Sequence, residues 1–284
     1  MNPVVIFGDS TLDLGKDLYK KFNIQIVPLI VREGENVYHD GVDIEPDELY
    51  KMVEKNKKLP QTASEGPGAY INAFEPWINK GYDVVYVGIG SQLSSNQSSV
   101  NIAAGEFPEG RVYLIDSENL SSASGLLAMK CCKLRDEGKS AKEIQEEVQK
   151  LSPLVIGQFC VETLDYLHKG GRCNGLTMLI GNLLHIHPVL RVVNGKLIVY
   201  KKIRGKTSKC IDDQVEMMKE DMPNIDMDNI MITSAGADEE VIKYFYDQVA
   251  QIVDPSVIRI TRAGCVISSH CGYGTIGLLY IKTK

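Results

Sequence analysis

Long apolar runs are missing from this 284-residue sequence. No stretch approaches the ~20 residues that cross a bilayer, so no membrane insertion is expected. A basic surplus is missing as well. Lys and Arg total 31 against 37 Asp and Glu, for a formal net charge of −6. Binding to a phosphate backbone wants the opposite balance, so nucleic acid is not an expected partner. The opening MNPVVIFGDS has neither the basic n-region nor the apolar h-region of a signal peptide. Seven cysteines are present but never as C-x-x-C: Cys131 and Cys132 adjoin, while Cys160, Cys173, Cys210, Cys265 and Cys271 are scattered. Reduced thiols in a cytoplasm fit this pattern better than a disulfide frame or a zinc site. His185 and His187 share one side of an extended segment, but no Cys, Asp or Glu stands beside them. A structural role is expected for the pair, and no metal.

What is present is alternation. VVIFGDS, IQIVPLIV, DVVYVGIG and RVYLIDS are short β-rich runs in the first half, each read as one strand. Helical stretches lie between or after them, at residues 45–55, 67–80, 94–106, 121–137 and 140–151, the last opened by Ser140 with Glu143 three residues on. This implies an N-terminal three-layer α/β/α domain with a mainly parallel sheet, over residues 1–155, whose ligands sit beyond the carboxyl ends of the strands. After LSPLVIGQFCV the character changes. PVLRVVNGKLIVYKK is two alternating strands about Asn194-Gly195, a type I′ hairpin signal. Helices near 207–220 and 237–252 and strands at 230–234, 257–261 and 277–281 complete a C-terminal α+β domain over residues 156–284. No internal repeat interrupts the chain.

Several constellations compete for a function. HCGYGTIG, residues 270–277, contains G-x-G-x-x-G, but the LLYIKTK after it reads as a strand. A dinucleotide fingerprint needs a helix there and an acidic residue about 20 positions on. The glycines therefore serve something else, and His270 ahead of them becomes the residue of interest. Gly205-Lys206-Thr207 looks like the end of a Walker loop, but the earlier glycine that loop requires is Tyr200. Gly8-Asp9-Ser10 resembles the nucleophile block of SGNH (GDSL-type) esterases, and Asp165-Tyr166-Leu167-His168 supplies a D-x-x-H, so a serine esterase using Ser10, Asp165 and His168 is the alternative reading. It lacks a G-x-N-D block for the oxyanion hole. Asp9, Ser10 and Thr11 equally suit the cap of a turn after the first strand. Two hydroxyl-rich loops remain, with Thr62 and Ser64 in LPQTASEGPGAY and Ser91, Ser94 and Ser95 in GIGSQLSSNQSS. Both stand where a strand gives way to a helix. Free N–H groups and hydroxyls at such a place suit a small anion, although N-capping alone accounts for serines there.

Together these pieces resemble the DegV family of bacterial fatty-acid-binding proteins, over essentially the whole chain. DSTLDL at 9–14 is similar to the family's D-S-T-x-D-L, and QTASEGP stands for its T-S-Q-P-S type loop. SQLSSNQSS stands for S-x-x-L-S-G-T-Y-Q-S, with Ser95 and Asn96 in place of Gly-Thr. DSENLSSASGLL at 116–127 is similar to D-S-x-x-x-S-x-G, and TLDYLHKGGR at 163–172 follows T-L-x-Y-L-x-K-G-G-R, a motif that contains Asp165 and has His168 at a variable position. HCGYG resembles H-x-G-P-G, with Tyr273 for proline. The resemblance implies two domains holding one fatty acid in a tunnel between them, with its carboxylate at Thr62 and Ser94, the adjoining Ser95, and His270. It implies Arg172 and Arg204 near the tunnel mouth, docking a separate ATP-dependent fatty acid kinase that makes an acyl phosphate for phospholipid synthesis. On this reading the chain is a substrate-presenting protein with no catalytic residue and no cofactor besides the bound acid.

Overall fold

Four strands with apolar side chains on both faces make the first sheet. They are β1 (Val4–Asp9), β2 (Ile24–Val27), β6 (Asp83–Gly88) and β7 (Val112–Asp116), all parallel, in the order β2-β1-β6-β7. The computed structural model describes residues 1–172 and 186–284. On one face of this sheet Val5, Phe7, Val84 and Tyr86 pack under α3 (Pro67–Asn79) and α4 (Asn96–Ala104). On the other, Ile6, Val85 and Val87 meet α1 (Gly15–Phe22), α5 (Ser121–Asp136) and α6 (Ala141–Gln149). Burial on both faces is why these strands read as continuous apolar runs. Ser140 and Glu143 form the expected capping box of α6.

The second sheet is mixed, in the order β10-β9-β8-β13-β11-β12. It comprises β8 (Val155–Cys160), β9 (Ile186–Val193), β10 (Lys196–Arg204), β11 (Ile230–Ala235), β12 (Ile258–Arg262) and β13 (Thr275–Ile281), and only β11 and β12 pair in parallel. Asn194 and Gly195 take φ of 51° and 72°, as the type I′ hairpin between β9 and β10 requires. Helices α8 (Thr207–Asp221) and α9 (Glu239–Val249) cover its outer face. Its inner face packs on α5, which is why α5 is buried nearly all round: Leu126, Leu127 and Met129 share a core with both sheets.

One expectation fails. IQIVPLIV is two strands in two sheets. Pro28 ends β2, and β3 (Ile30–Glu33) turns into a small antiparallel sheet with β4 (Asn36–His39) and β5 (Gln61–Ala63). With α2 (Pro46–Asn56), this sheet puts Leu29, Val31 and Leu49 against Cys265 and Val266 of α10 (Cys265–Cys271). Helix α10 was not expected from the sequence. After β8 comes α7 (Asp165–Lys169), which packs on α10. No helix among the described residues is long and apolar enough to cross a membrane.

Candidate functional site

The two hydroxyl-rich loops and the His270 turn, far apart in sequence, meet at one cavity of about 270 Å³. Thr62 comes from β5, where it pairs with Val31. Ser94 lies in the turn before α4, and its hydroxyl accepts a hydrogen bond from the Asn96 N–H at 3.2 Å. His270 comes from the last turn of α10. Thr62 Oγ1 and His270 Nε2 are 2.7 Å apart, and the Ser64 and Ser95 hydroxyls 3.2 Å apart. Arg172 stands at the same end, mostly in solvent, its guanidinium donating to the Gly170 carbonyl at 2.6 Å. Away from these groups the wall is apolar, with Leu29, Ile89, Leu93, Leu120, Leu167 and Ile267. The arrangement offers hydroxyl donors at one end of a hydrocarbon-lined space, which suits a molecule with a small anionic head and an apolar body.

His270 is held from three sides. At the start of α10, Asp13 accepts from the Gly264 N–H at 2.7 Å, and Asp40 accepts from the Cys265 and Val266 N–H groups at 2.6 and 3.2 Å. Two carboxylates thus satisfy the free amides of a short helix and complement its dipole. At the other end, Gly170 lies so close to the imidazole that any Cβ there would collide with Nδ1. Gly272, at φ 82°, abuts the Tyr166 ring, which a Cβ would meet at 2.9 Å. The glycines of both motifs therefore let α7 and the α10 turn approach closely.

Burial, and then the positive charge of Arg172, push the His270 pKa down to about 4, so the ring is neutral near pH 7. Its Nδ1 is buried with no partner among the described residues. The tautomer protonated at Nε2 leaves no buried N–H unsatisfied. In that form Nε2–H donates to Thr62 Oγ1 and leaves the threonine proton free for a ligand. The Asp13 and Asp40 carboxyls are pushed up from the usual range, chiefly by burial.

Sequence reasoning missed the support for the serine loop. Asp9 and Asn96 are both fully buried and joined to each other. Asp9 Oδ2 accepts from Asn96 Nδ2 (2.9 Å), the Tyr86 hydroxyl (2.7 Å) and the Ile89 N–H (3.2 Å); Oδ1 accepts from the Thr11 N–H (2.9 Å) and from its hydroxyl. Tyr70 donates to Asn96 Oδ1 at 2.7 Å. This network pins the first residue of α4 and with it Ser94 and Ser95. The signal was present in DSTLDL and SQLSSNQSS but carried no indication that one motif supports the other.

Other candidates fall elsewhere. Ser10 accepts from the Leu29 N–H at 3.1 Å, while Asp165 and His168 are exposed on α7; no hydrogen bond joins the three. Arg204 ends β10, exposed, and does not line the cavity. Thr207 of the Walker-like stretch opens α8 and donates to Glu162 at 2.8 Å. Gly272 and Gly274 form the turn before β13, and Gly277 lies within that strand, where a Cβ would come within 2.6 Å of the Gln158 carbonyl. His187 stands 3.5 Å from Glu162; His185 and Cys173 lie outside the described residues, among which no three metal-ligating side chains cluster. A larger cavity, about 780 Å³, opens at the other end of α10; of its cations, Lys16 and Arg262 are paired with Glu45 and Asp47, and Arg259 donates to the Ser256 and Ile258 carbonyls.

Comparison with known proteins agrees with this fold throughout. The family model described as uncharacterised proteins of the DegV family matches residues 3–283. A DegV domain-containing protein of Clostridium acetobutylicum is 30% identical over 284 residues, covering 99% of each chain. The solved structure of a DegV family protein from Thermus thermophilus, described for its fatty acid binding, superimposes with a TM-score of 0.90 at 27% identity, covering 99% of this chain and 100% of that one. A stearic acid-binding protein from Eubacterium ventriosum does so with a TM-score of 0.86 at 26% identity, covering 100% of this chain and 99% of that one. With the match running almost from end to end, the chain belongs to the DegV family.

Proposed function

We propose that this protein binds one long-chain fatty acid between its N-terminal unit (1–155) and its C-terminal unit (156–284) and presents the carboxylate to a separate ATP-dependent fatty acid kinase, which forms an acyl phosphate. The observation that carries the reading is the meeting of Thr62, Ser94, Ser95 and a neutral His270 at the polar end of an apolar cavity. Thr62, Ser94 and Ser95 donate to the carboxylate, and His270 orients Thr62. Arg172 sits at the cavity mouth, and Arg204, in the basic KKIRGKTSK segment of an acidic chain, extends the docking surface for the kinase. Rim charges of this kind govern association more than retention of the ligand.

The energetics suit a carrier. Burying about fifteen methylenes favours binding by roughly 12 kcal/mol at ~0.8 each, against an association cost on the order of 4–15 kcal/mol. Retention then depends on full enclosure of the tail and on a satisfied carboxylate, since an unpaired buried charge erases the gain. Native mass spectrometry of protein purified from a bacterial host tests the reading. A retained long-chain fatty acid is expected; a protein that arrives empty and takes up no added palmitate overturns it. The docking assignment has its own test. Arg172→Ala and Arg204→Ala should keep the acid and lose phosphorylation by a fatty acid kinase, with the Arg204→Ala defect narrowing as salt rises, because screening removes the same attraction from the unaltered protein. Variants that arrive empty yet support turnover on added lipid refute the docking role.

A further inference from the structure

Past Leu120, Ile267 and Cys271 the cavity adjoins a narrow apolar void of about 30 Å³, which shares those three residues and lies on the inner face of the second sheet. The strand register shows what shapes it. Thr275 of β13 stands opposite Ala235, Gly277 stands between Thr233 and Phe159, and Leu279 stands between Met231 and Gly157. Residues two apart on β13 face the same way, so these are three successive rows on one surface. In the first two rows, β11 and β13 contribute only Ala, Thr and Gly. In the third, Leu279 and Met231 are large, buried, and packed into the core with Leu126 and Leu127. Gly157 opens no gap in that row, because Asn119 and Ala123 occupy the space a side chain there would take.

The Thr275, Ser121 and Thr233 hydroxyls along this passage already have partners. Thr275 donates to the Cys271 carbonyl at 2.9 Å, and Ser121 donates to Asp13 at 2.5 Å. Ser122, Thr233 and Thr261 form a chain of hydroxyls, the last pair 2.7 Å apart. An apolar guest entering here meets methyl and methylene surface and strands no buried donor. From this geometry we infer that the Met231–Leu279 row is the floor against which the ligand's methyl end stops, and that Leu279 sets the upper chain length. The inference rests on the proposed fatty acid binding and names the part of this chain that selects among acids.

Each further methylene buried favours binding roughly fourfold, and each one forced out of the void gains nothing. Affinity for saturated straight-chain acids, from decanoate to eicosanoate, should therefore climb with length and then break. Competition against a fluorescent fatty acid reads that break. Removing the Leu279 side chain opens the β13 side of a row that spans about 7 Å of strand, so Leu279→Ala should move the break to acids at least two carbons longer. Ala235→Val narrows the first row and should move it the other way. Melting curves establish that each variant is folded; should Leu279→Ala fail to fold, Ala235→Val decides alone. An unmoved break in the folded variants overturns the inference while leaving fatty acid binding intact. Failure of the unaltered protein to bind any acid overturns the proposed function and this inference with it.

Discussion

Asp9 and His270 each sit in a cluster of polar side chains, and the first turn of α4 lies between the two. Hydroxyls figure in both clusters, yet the two are finished differently. Around Asp9, both oxygens and both ends of the Asn96 amide are engaged, and the whole group is buried. Around His270, Nδ1 has no partner among the described residues, and the hydroxyls of Thr62, Ser64 and Ser95 share one contact each. A saturated buried network rigidifies a fold, whereas one with spare valence beside an apolar cavity has donors to offer a guest. Saturation separates the scaffold from the candidate site.

Breaking the saturated cluster should have the largest effect. Asp9→Ala strands the Tyr86 hydroxyl, the Asn96 amide and the Ile89 and Thr11 N–H groups, each a loss of about 1–3 kcal/mol. Relaxation shares part of this, and a loss of about 3–5 kcal/mol in unfolding free energy is expected from urea denaturation. A loss below about 1 kcal/mol would show that the cluster is no scaffold.

The next effect is electrostatic and sharpens the other half of the contrast. The His270 imidazole titrates near 6.5 when unfolded and near 4 in the fold. Between those values the unfolded chain binds more protons, so the contribution is full above about 6.5, declines as pH falls, and is gone below about 4. The stability difference between the native protein and His270→Gln should therefore change by up to about 3 kcal/mol between neutral pH and pH ~4. Asp13 and Asp40, raised by burial, act in the opposite sense in both proteins and cancel in that difference. A pH-independent difference would place His270 in a solvated setting.

The smallest change in stability should come from the open cluster. Thr62→Ala with Ser94→Ala removes the acceptors of the His270 Nε2–H and the Asn96 N–H and should shift unfolding free energy by no more than about 2 kcal/mol. It should also lower fatty acid affinity at least tenfold, since hydrogen bonds to a charged group contribute about 1.5–3 kcal/mol each. Displacement of a fluorescent fatty acid measures the second quantity. Unchanged affinity would put the anion elsewhere and undo the comparison.

Much of the fold was legible because its signals are local. The hairpin at Asn194-Gly195, the capping box at Ser140 and Glu143, and the Pro67 start of α3 all lie within a few residues of what they specify. Helix α10 was illegible for the opposite reason. It is short, buried on nearly every side, and preceded by Gly264; its caps are Asp13 and Asp40, more than two hundred residues upstream. The division of residues 24–31 between two sheets was hidden in the same way, since Pro28 ends one strand but cannot announce which sheet receives the next.

Taken alone, the sequence determined the alternating α/β order, the family likeness and the choice of Thr62, Ser94 and His270 as residues to watch, because pattern and motif are properties of neighbours along a chain. Only the tertiary structure decided that Thr62 and His270, 208 positions apart, touch, that Asp9 braces Asn96, and that the imidazole is neutral. Those outcomes depend on desolvation and on the count of hydrogen bonds each group receives, and both are sums over partners that only folding brings together.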